Sequence, residues 1–353
     1  MNLLTPLIKT KESLELIPRS LCYVFHKERL MVDLFENWVS IEMVASKSKG
    51  TLFRLNSCST TYFTNFIKLN CLHYLWWVNA ILIHEISLKS GRLDKSNSSR
   101  ISNSNDNEEM ILMEVSSTEL NPEQLGGEVD ELFIKANSYQ LLLYLTQLER
   151  RIVTSDSVMP SDMRRMLRHI YKQGSFLFSL FLFFLLFFCF FLIKIKVGTK
   201  FDNDSQMRAI GGFLILRAIN PSLCTPIPYA LTTEKISPNA TKELMNIGRI
   251  LQNLANETLP SEKNKFLAPF DDFVQNEIPK IREYYKSLVE NEPQNIDSKS
   301  ILEVPPDVEE DALAAIWNFI YNNKESIQKS DEDGQFKELL EKIDKPIEKT
   351  NKK

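Results

Sequence analysis

Two arginines stand where an arginine needs a reason. Arg217 lies inside the apolar run Phe213-Leu214-Ile215-Leu216, with Ala218 and Ile219 after it and Asn220-Pro221 ending the segment. Burying an unpaired guanidinium is costly, so this one either reaches water along its own stem or is held by carbonyl acceptors. The second arrangement makes Arg217 a strut. Arg54 is the opposite case: it follows Leu52 and Phe53, two side chains suited to anchoring a loop, and the polar stretch Ser46–Gly50 leads into them. Its cation is left to reach outward from a fixed base. Other chemistry is thinly supplied. The four histidines, His26, His73, His84 and His169, form no HExxH or His-Cys pattern, which leaves no evident metal site or nucleophile-base pair. Five cysteines, odd in number and without a CxxC pair, argue against a disulfide framework and fit a reducing compartment.

Around the two arginines the sequence resembles a known family. Gly211–Pro226, GGFLILRAINPSLCTP, is similar to the FLR-x-x-NPA-x-x-x-P signature of Ras GTPase-activating protein (RasGAP) domains. Ile247–Asn256, IGRILQNLAN, resembles the helix that comes after it there, and TLFRLNS at Thr51–Ser57 falls where that family carries a TLFRGNS loop with its arginine finger. The resemblance runs from about Ser13 to Leu288. It implies an all-α, multi-helix domain that stimulates GTP hydrolysis by a GTP-bound Ras-type small GTPase and so restrains Ras signalling, in the cytoplasm at the inner membrane surface. Such a chain is an activator working on a partner's active site, without metal or cofactor, and not itself the enzyme. By resemblance Arg54 is the finger, acting in trans, and Arg217 fixes the finger loop through its main-chain carbonyls. Phe53, Asn56, Arg249, Gln252, Asn253, Asn256 and Lys263 are then the residues that meet the GTPase. The chemistry is that of phosphoryl transfer, in which an inserted guanidinium meets charge developing on the transferred phosphate. Lysine is a poor substitute, because only the planar fork makes several directed bonds at once. The sequence departs from the family pattern where Leu55 replaces the usual glycine after the finger, where Ser222 replaces alanine and where Arg249 replaces lysine. Those departures keep a second reading open, a scaffold that grips a small GTPase without accelerating it.

The elements that must position these residues read as helices. With 353 residues, 43% hydrophobic, 25% charged and only 10 glycines, the chain suits a large helical core better than a turn-rich β fold. A net charge of −4 gives no general case for nucleic acid, and the arginines at 150, 151, 164, 165 and 168 read as solvated helix faces. After an N-terminal extension over residues 1–12, the stretch Leu14–Ala45 reads as helical with an apolar stripe at Leu30, Leu34, Trp38, Ile41 and Ala45. Asn56, Ser57 and Ser59 are caps for a helix carrying Phe63, Phe66 and Ile67. Cys71–Ser90 reads as a buried helix, and the Asn- and Ser-rich residues 96–109 as an unstructured insertion. Further helices are expected over Ser138–Val153, from Ser161 to about Gln173, after the Ser237-Pro238 cap and over Glu309–Glu325. On the helix after Ser237, Leu244, Ile247, Leu251 and Leu254 form an apolar face, and Arg249, Gln252, Asn253 and Asn256 a polar stripe. Residues 13–290 make the domain and 291–353 a charged helical tail.

One segment does not fit. Ser175–Ile193, SFLFSLFLFFLLFFCFFLI, is uncharged and, at about 1.5 Å rise per residue, long enough for a helix to cross a bilayer. A single span would set Arg54 and Arg217 on opposite sides of a membrane. Three readings stay open: a real span in a membrane protein with a degenerate GAP domain, a re-entrant or surface-lying hairpin, or translated non-coding sequence. Phe, Leu, Ile and Lys codons built only from A and T favour the last.

Overall fold

The computed structural model describes residues 4–26, 30–45, 53, 56–100, 131–172, 203–291 and 302–331, with scattered positions up to 347. The Ser175–Ile193 run and residues 101–109 of the Asn- and Ser-rich tract lie outside them. Among the described residues every regular element is helical. The chain divides into two compact units. One comprises Met1–Asn70, Asp162–Ala209 and Ser298–Lys353, and the other Cys71–Ser161 and Ile210–Asp297.

In the first unit, α1 (Lys11–Val24) starts at a capping box in which Thr10 and Ser13 each accept from the other's backbone N–H, satisfying two of the donors a helix start leaves bare. It ends at the C-cap Phe25 and α2 runs over Met31–Ala45, so the expected Leu14–Ala45 stretch is two helices. The buried stripe of α2 keeps Trp38 from the expected one but otherwise falls on neighbouring positions. Met31, Val32, Phe35, Trp38, Val39 and Met43 are buried, whereas Leu30 is 44% exposed. Both stripes satisfy helical spacing, and the one that removes more apolar area from water prevails. Trp38 meets Tyr62 edge-on at 5.2 Å between ring centroids, and Phe35 lies 5.7 Å from Phe63; both partners come from α3 (Cys58–Asn70).

The helix α12 (Pro306–Asn322) packs along α1. Its buried residues are Ala312 and Ala314, while Leu313 is 48% exposed. Small residues there allow a close approach of the two helices. On α7 (residues 161–172), Met163, Met166, Leu167 and Ile170 are buried as the spacing predicts. The arginines of α7 differ in setting: Arg165 is exposed but ion-paired, and Arg164 is withdrawn from water. Arg165 is fixed by Asp33 at 2.6 Å and Glu36 at 3.0 Å, and Arg164 is buried.

The second unit gathers around α10 (Pro238–Asn256), which packs against α5 (Ile81–Arg100), α6 (Glu131–Val153), α9 (Asn220–Cys224) and α11 (Asp271–Glu290). Ser237 accepts from Ala240 N at 3.2 Å with proline in the first turn, the arrangement its sequence signals. Leu244, Ile247, Leu251 and Leu254 on α10, with Leu141, Leu145, Leu148 and Ile152 on α6, are buried and form the core. The backbone of α5 continues to Arg100, five residues into the tract expected to be unstructured.

Two stretches are wider than an α-helix. A π-helical turn, Trp76–Ala80, joins the short α4 (Leu72–Leu75) to α5. A second, Leu214–Ile219, joins α8 (Asn203–Phe213) to α9. Among the described residues no single helix is long and apolar enough to cross a membrane.

Candidate functional site

In the first unit, the elements on either side of Arg54 are tied down. Arg54 itself, with Leu52 and Leu55, lies outside the described residues. Phe53 is buried at 7% exposure and holds a left-handed backbone with φ 56°. A bulky residue in that region is strained, and its buried ring keeps it there. Phe53 is thus an anchor in the free chain, where the resemblance made it a GTPase contact. Asn56 is exposed.

The start of α3 is fixed twice. Ser57 and Thr60 form a reciprocal capping box, with Ser57 N donating to Thr60 Oγ1 at 2.8 Å and Thr60 N to Ser57 Oγ at 3.3 Å. Ser59 is not a cap but a ligand of Glu42 on α2, its backbone N–H donating at 2.9 Å and its hydroxyl at 2.6 Å. Glu42 is pushed up by burial, and those Ser59 bonds hold it down. A carboxylate at a helix N-terminus is also favoured by the dipole. The chain therefore leaves α2 and enters α3 at two ends joined by one carboxylate. Glu42 is a positioning residue that spacing alone did not reveal, since its partners lie across a turn.

In the second unit Arg217 occupies the π-turn Leu214–Ile219, half-buried among the buried Leu214, Ile215, Ala218 and Ile219. Burial lowers its pKa, and the neighbouring Tyr229 offsets part of that. The Tyr229 phenol is pushed up to about 12 by burial, with Arg217 acting against the rise. Tyr229 is a partner the sequence did not announce.

The polar stripe on α10 divides on inspection. Arg249 and Gln252 are exposed and Asn256 is half-buried, with Asn256 Nδ2 donating to Gln252 O at 2.8 Å and Arg249 Nη1 to Asn246 Oδ1 at 3.1 Å. Asn253 is buried at 6% exposure and already committed. Its Nδ2 donates to Arg249 O at 2.9 Å, its Oδ1 accepts from Thr258 Oγ1 at 3.1 Å, and its carbonyl accepts from Thr258 N at 3.1 Å. Those bonds end the helix around Glu257, a left-handed residue with φ 55° whose carboxylate takes two 2.6 Å bonds from Arg282. Asn253 serves the helix end, and in the free chain the resemblance's partner-facing role is left to Arg249, Gln252 and Asn256. Lys263 is exposed beyond the turn Pro260–Glu262.

Beside that stripe, on the buried side of α10, Glu243 is 2% exposed and its Oε1 has no hydrogen-bond partner. Burial raises its carboxyl to about 7 from an ordinary 4.5, with Lys89 lowering it and Glu85 raising it further. The folded state therefore holds a proton that the unfolded chain has released. Stability from this group is present below about pH 4.5 and is lost as pH rises through about 7, amounting to about 3 kcal/mol. Glu243→Gln is expected to melt higher than the parent at pH 8 and close to it at pH 5; thermal melts that coincide at both values would contradict this.

Known proteins are similar to this chain over much of its length. Residues 34–256 match the family model described as RasGAP, GTPase-activator protein for Ras-like GTPase, a range holding both the Arg54 loop and the Arg217 segment. Similarity extends to the Ras GTPase-activating-like protein rgaA of Dictyostelium discoideum, 26% identical over 46% of this chain and 17% of that protein. It extends also to the RasGAP-activating-like protein 1 of Mus musculus, 24% identical over 70% of this chain and 27% of the relative. The Ras GTPase-activating protein 4 of Homo sapiens is 20% identical over 86% of this chain and 35% of its own length. The aligned regions thus cover about a third or less of these relatives. The all-helical fold and the extent of the match define a GTPase-activator domain. The chain belongs to the RasGAP family.

Proposed function

We propose that this chain stimulates GTP hydrolysis by a Ras-type small GTPase in its GTP-bound form, with Arg54 supplying the cation in trans and Arg217 holding the finger loop. The observation that carries the reading is the family match over 34–256, a range that contains both Arg54 and Arg217. The protein is then an activator that completes a partner's active site, and a negative regulator of Ras signalling acting at the inner membrane surface.

The mechanism derives from a cation that the GTPase lacks. Charge accumulates on the transferring phosphate and the β–γ bridging oxygen, and a guanidinium set there in a water-poor interface stabilises it without reorganising at the moment of reaction. This chain adds position. The Glu42–Ser59 bonds and the buried Phe53 limit the freedom of the backbone on either side of Arg54, so less entropy is lost when the finger docks. On α10 the exposed Arg249 and Gln252, with Asn256, supply a polar surface for the partner, and Lys263 adds a cation.

That surface is separable from the chemistry. Arg249→Glu combined with Gln252→Ala is expected to weaken binding to the GTP-loaded GTPase about tenfold or more while leaving the saturating hydrolysis rate within a factor of about three. Titration calorimetry and single-turnover phosphate release read the two quantities independently, and unchanged affinity would remove α10 from the interface. The test of the reading itself is that phosphate release at saturating chain is accelerated over the intrinsic rate. Binding without acceleration favours the scaffold reading, to which Leu55, in place of glycine next to the finger, lends support.

A further inference from the structure

Arg217 owes its place to a helix that is locally too wide. Within Leu214–Ile219 the backbone adopts i to i+5 bonding, closed by Asn220 N donating to Ile215 O. Such turns are less stable than α-helix and concentrate at functional sites. They persist when something outside the helix satisfies the backbone groups they misplace.

Here that something is Asn79, which is itself in the other π-turn, Trp76–Ala80. It is 0% exposed, and its Nδ2 donates to Ile219 O at 3.0 Å and to Ser222 Oγ at 2.8 Å. Ser222, also fully buried, lies 2.8 Å from Ala218 O and 2.9 Å from Ile219 O. Amide and hydroxyl together grip the last carbonyls of the turn that carries Arg217. The opposite amide orientation would set Asn79 Oδ1 against Ile219 O, oxygen to oxygen, so this orientation is the one that bonds. It leaves Oδ1 buried with no partner, at a cost of about 1–3 kcal/mol.

We propose that Asn79 is a positioning residue for Arg217: its side-chain amide, with Ser222, locks the π-turn Leu214–Ile219 and so sets the direction in which the guanidinium leaves the helix. This rests on Arg217 acting as a strut. One residue more or less in a turn rotates every later side chain of the helix by about 100° around the axis. If the turn relaxes to α-helix, Arg217 points elsewhere and the loop it serves is lost.

The experiment is a double-mutant cycle between Asn79→Leu and Arg217→Ala, read by single-turnover GTP hydrolysis with a Ras-type GTPase at saturating concentrations of this chain. Affinity for the GTP-loaded form and thermal melting are measured on each variant. Asn79→Leu alone is expected to lower the saturating rate about tenfold or more with Kd within about threefold, and to change it less than about twofold when Arg217 is already alanine. A merely structural role would lower melting and leave the saturating rate intact, or lower the rate equally in both backgrounds; either result overturns the inference. If Asn79→Leu fails to fold, Ser222→Ala replaces it in the cycle, with a smaller drop expected that also vanishes in the Arg217→Ala background. A loss with Arg217→Ala but none with the position 79 or 222 variants defeats this inference alone. A full rate with Arg217→Ala defeats the strut reading and this inference together.

Discussion

Replacing Arg54 with alanine is expected to lower the chain's stimulation of GTP hydrolysis about a thousandfold or more, within the range characteristic of arginine fingers supplied to Ras-type GTPases. Affinity for the GTP-loaded GTPase is expected to change no more than about threefold, because the finger's bonds strengthen only as charge develops on the phosphate. Arg54→Lys separates charge from shape. The ammonium keeps the charge but lacks the planar fork, so it should recover only a small part of the loss. The saturating single-turnover rate is the quantity to compare. A rate for Arg54→Ala within a few fold of the parent would take the finger from Arg54.

The largest expected effect on folding comes from Gly248, in the middle of α10. A Cβ there would lie 2.4 Å from Asn220 Oδ1 and 2.5 Å from Cys224 Sγ, far inside contact distance. Neither neighbour yields readily, because Cys224 Sγ already sits 3.4 Å from Asn220 Oδ1 and 3.7 Å from Leu244 O. The glycine makes room for the Asn220 and Cys224 side chains of α9, next to the π-turn of Arg217. In a free helix Gly→Ala would stabilise by about 1 kcal/mol. Here overpacking outweighs that gain and Gly248→Ala should cost about 1–3 kcal/mol, with activity falling in step with the folded fraction. Denaturant titration measures it, and an unchanged midpoint would show that the helices separate at little cost.

Helical periodicity makes much of the fold readable, and its failures have physical causes. The α6, α7 and α10 faces are legible because each has one apolar stripe and no competitor. The α2 stripe shares Trp38 with the expected one but takes Met31 and Phe35 in place of Leu30 and Leu34, which satisfy the same spacing, and only the partner helix decides between them. On α12, Leu313, Ile316, Trp317 and Ile320 are the conspicuous apolar residues, yet the buried ones are Ala312 and Ala314; volume misleads where close helix packing selects small side chains. For the candidate site, the motifs locate Arg54 and Arg217 without their supports. Glu42, Asn79 and Tyr229 act across contacts between distant segments, and no local pattern marks them. Gly248 does carry a signal, an isolated glycine within a helical pattern. Asn253 shares spacing with Gln252 and Asn256 but faces the helix end, a distinction that depends on the left-handed Glu257 and its Arg282 partner.

The most direct measurement is the affinity of the full chain for a GDP-loaded Ras-type GTPase with and without aluminium fluoride, which imitates the phosphoryl group in transit. A chain that completes the transition state should bind the fluoride complex at least about a hundredfold more tightly than the GDP form alone, and Arg54→Ala should abolish the difference. Equal affinity in the presence and absence of fluoride, with the GTP-loaded form still bound, would contradict a catalytic finger and leave a GTPase-binding scaffold.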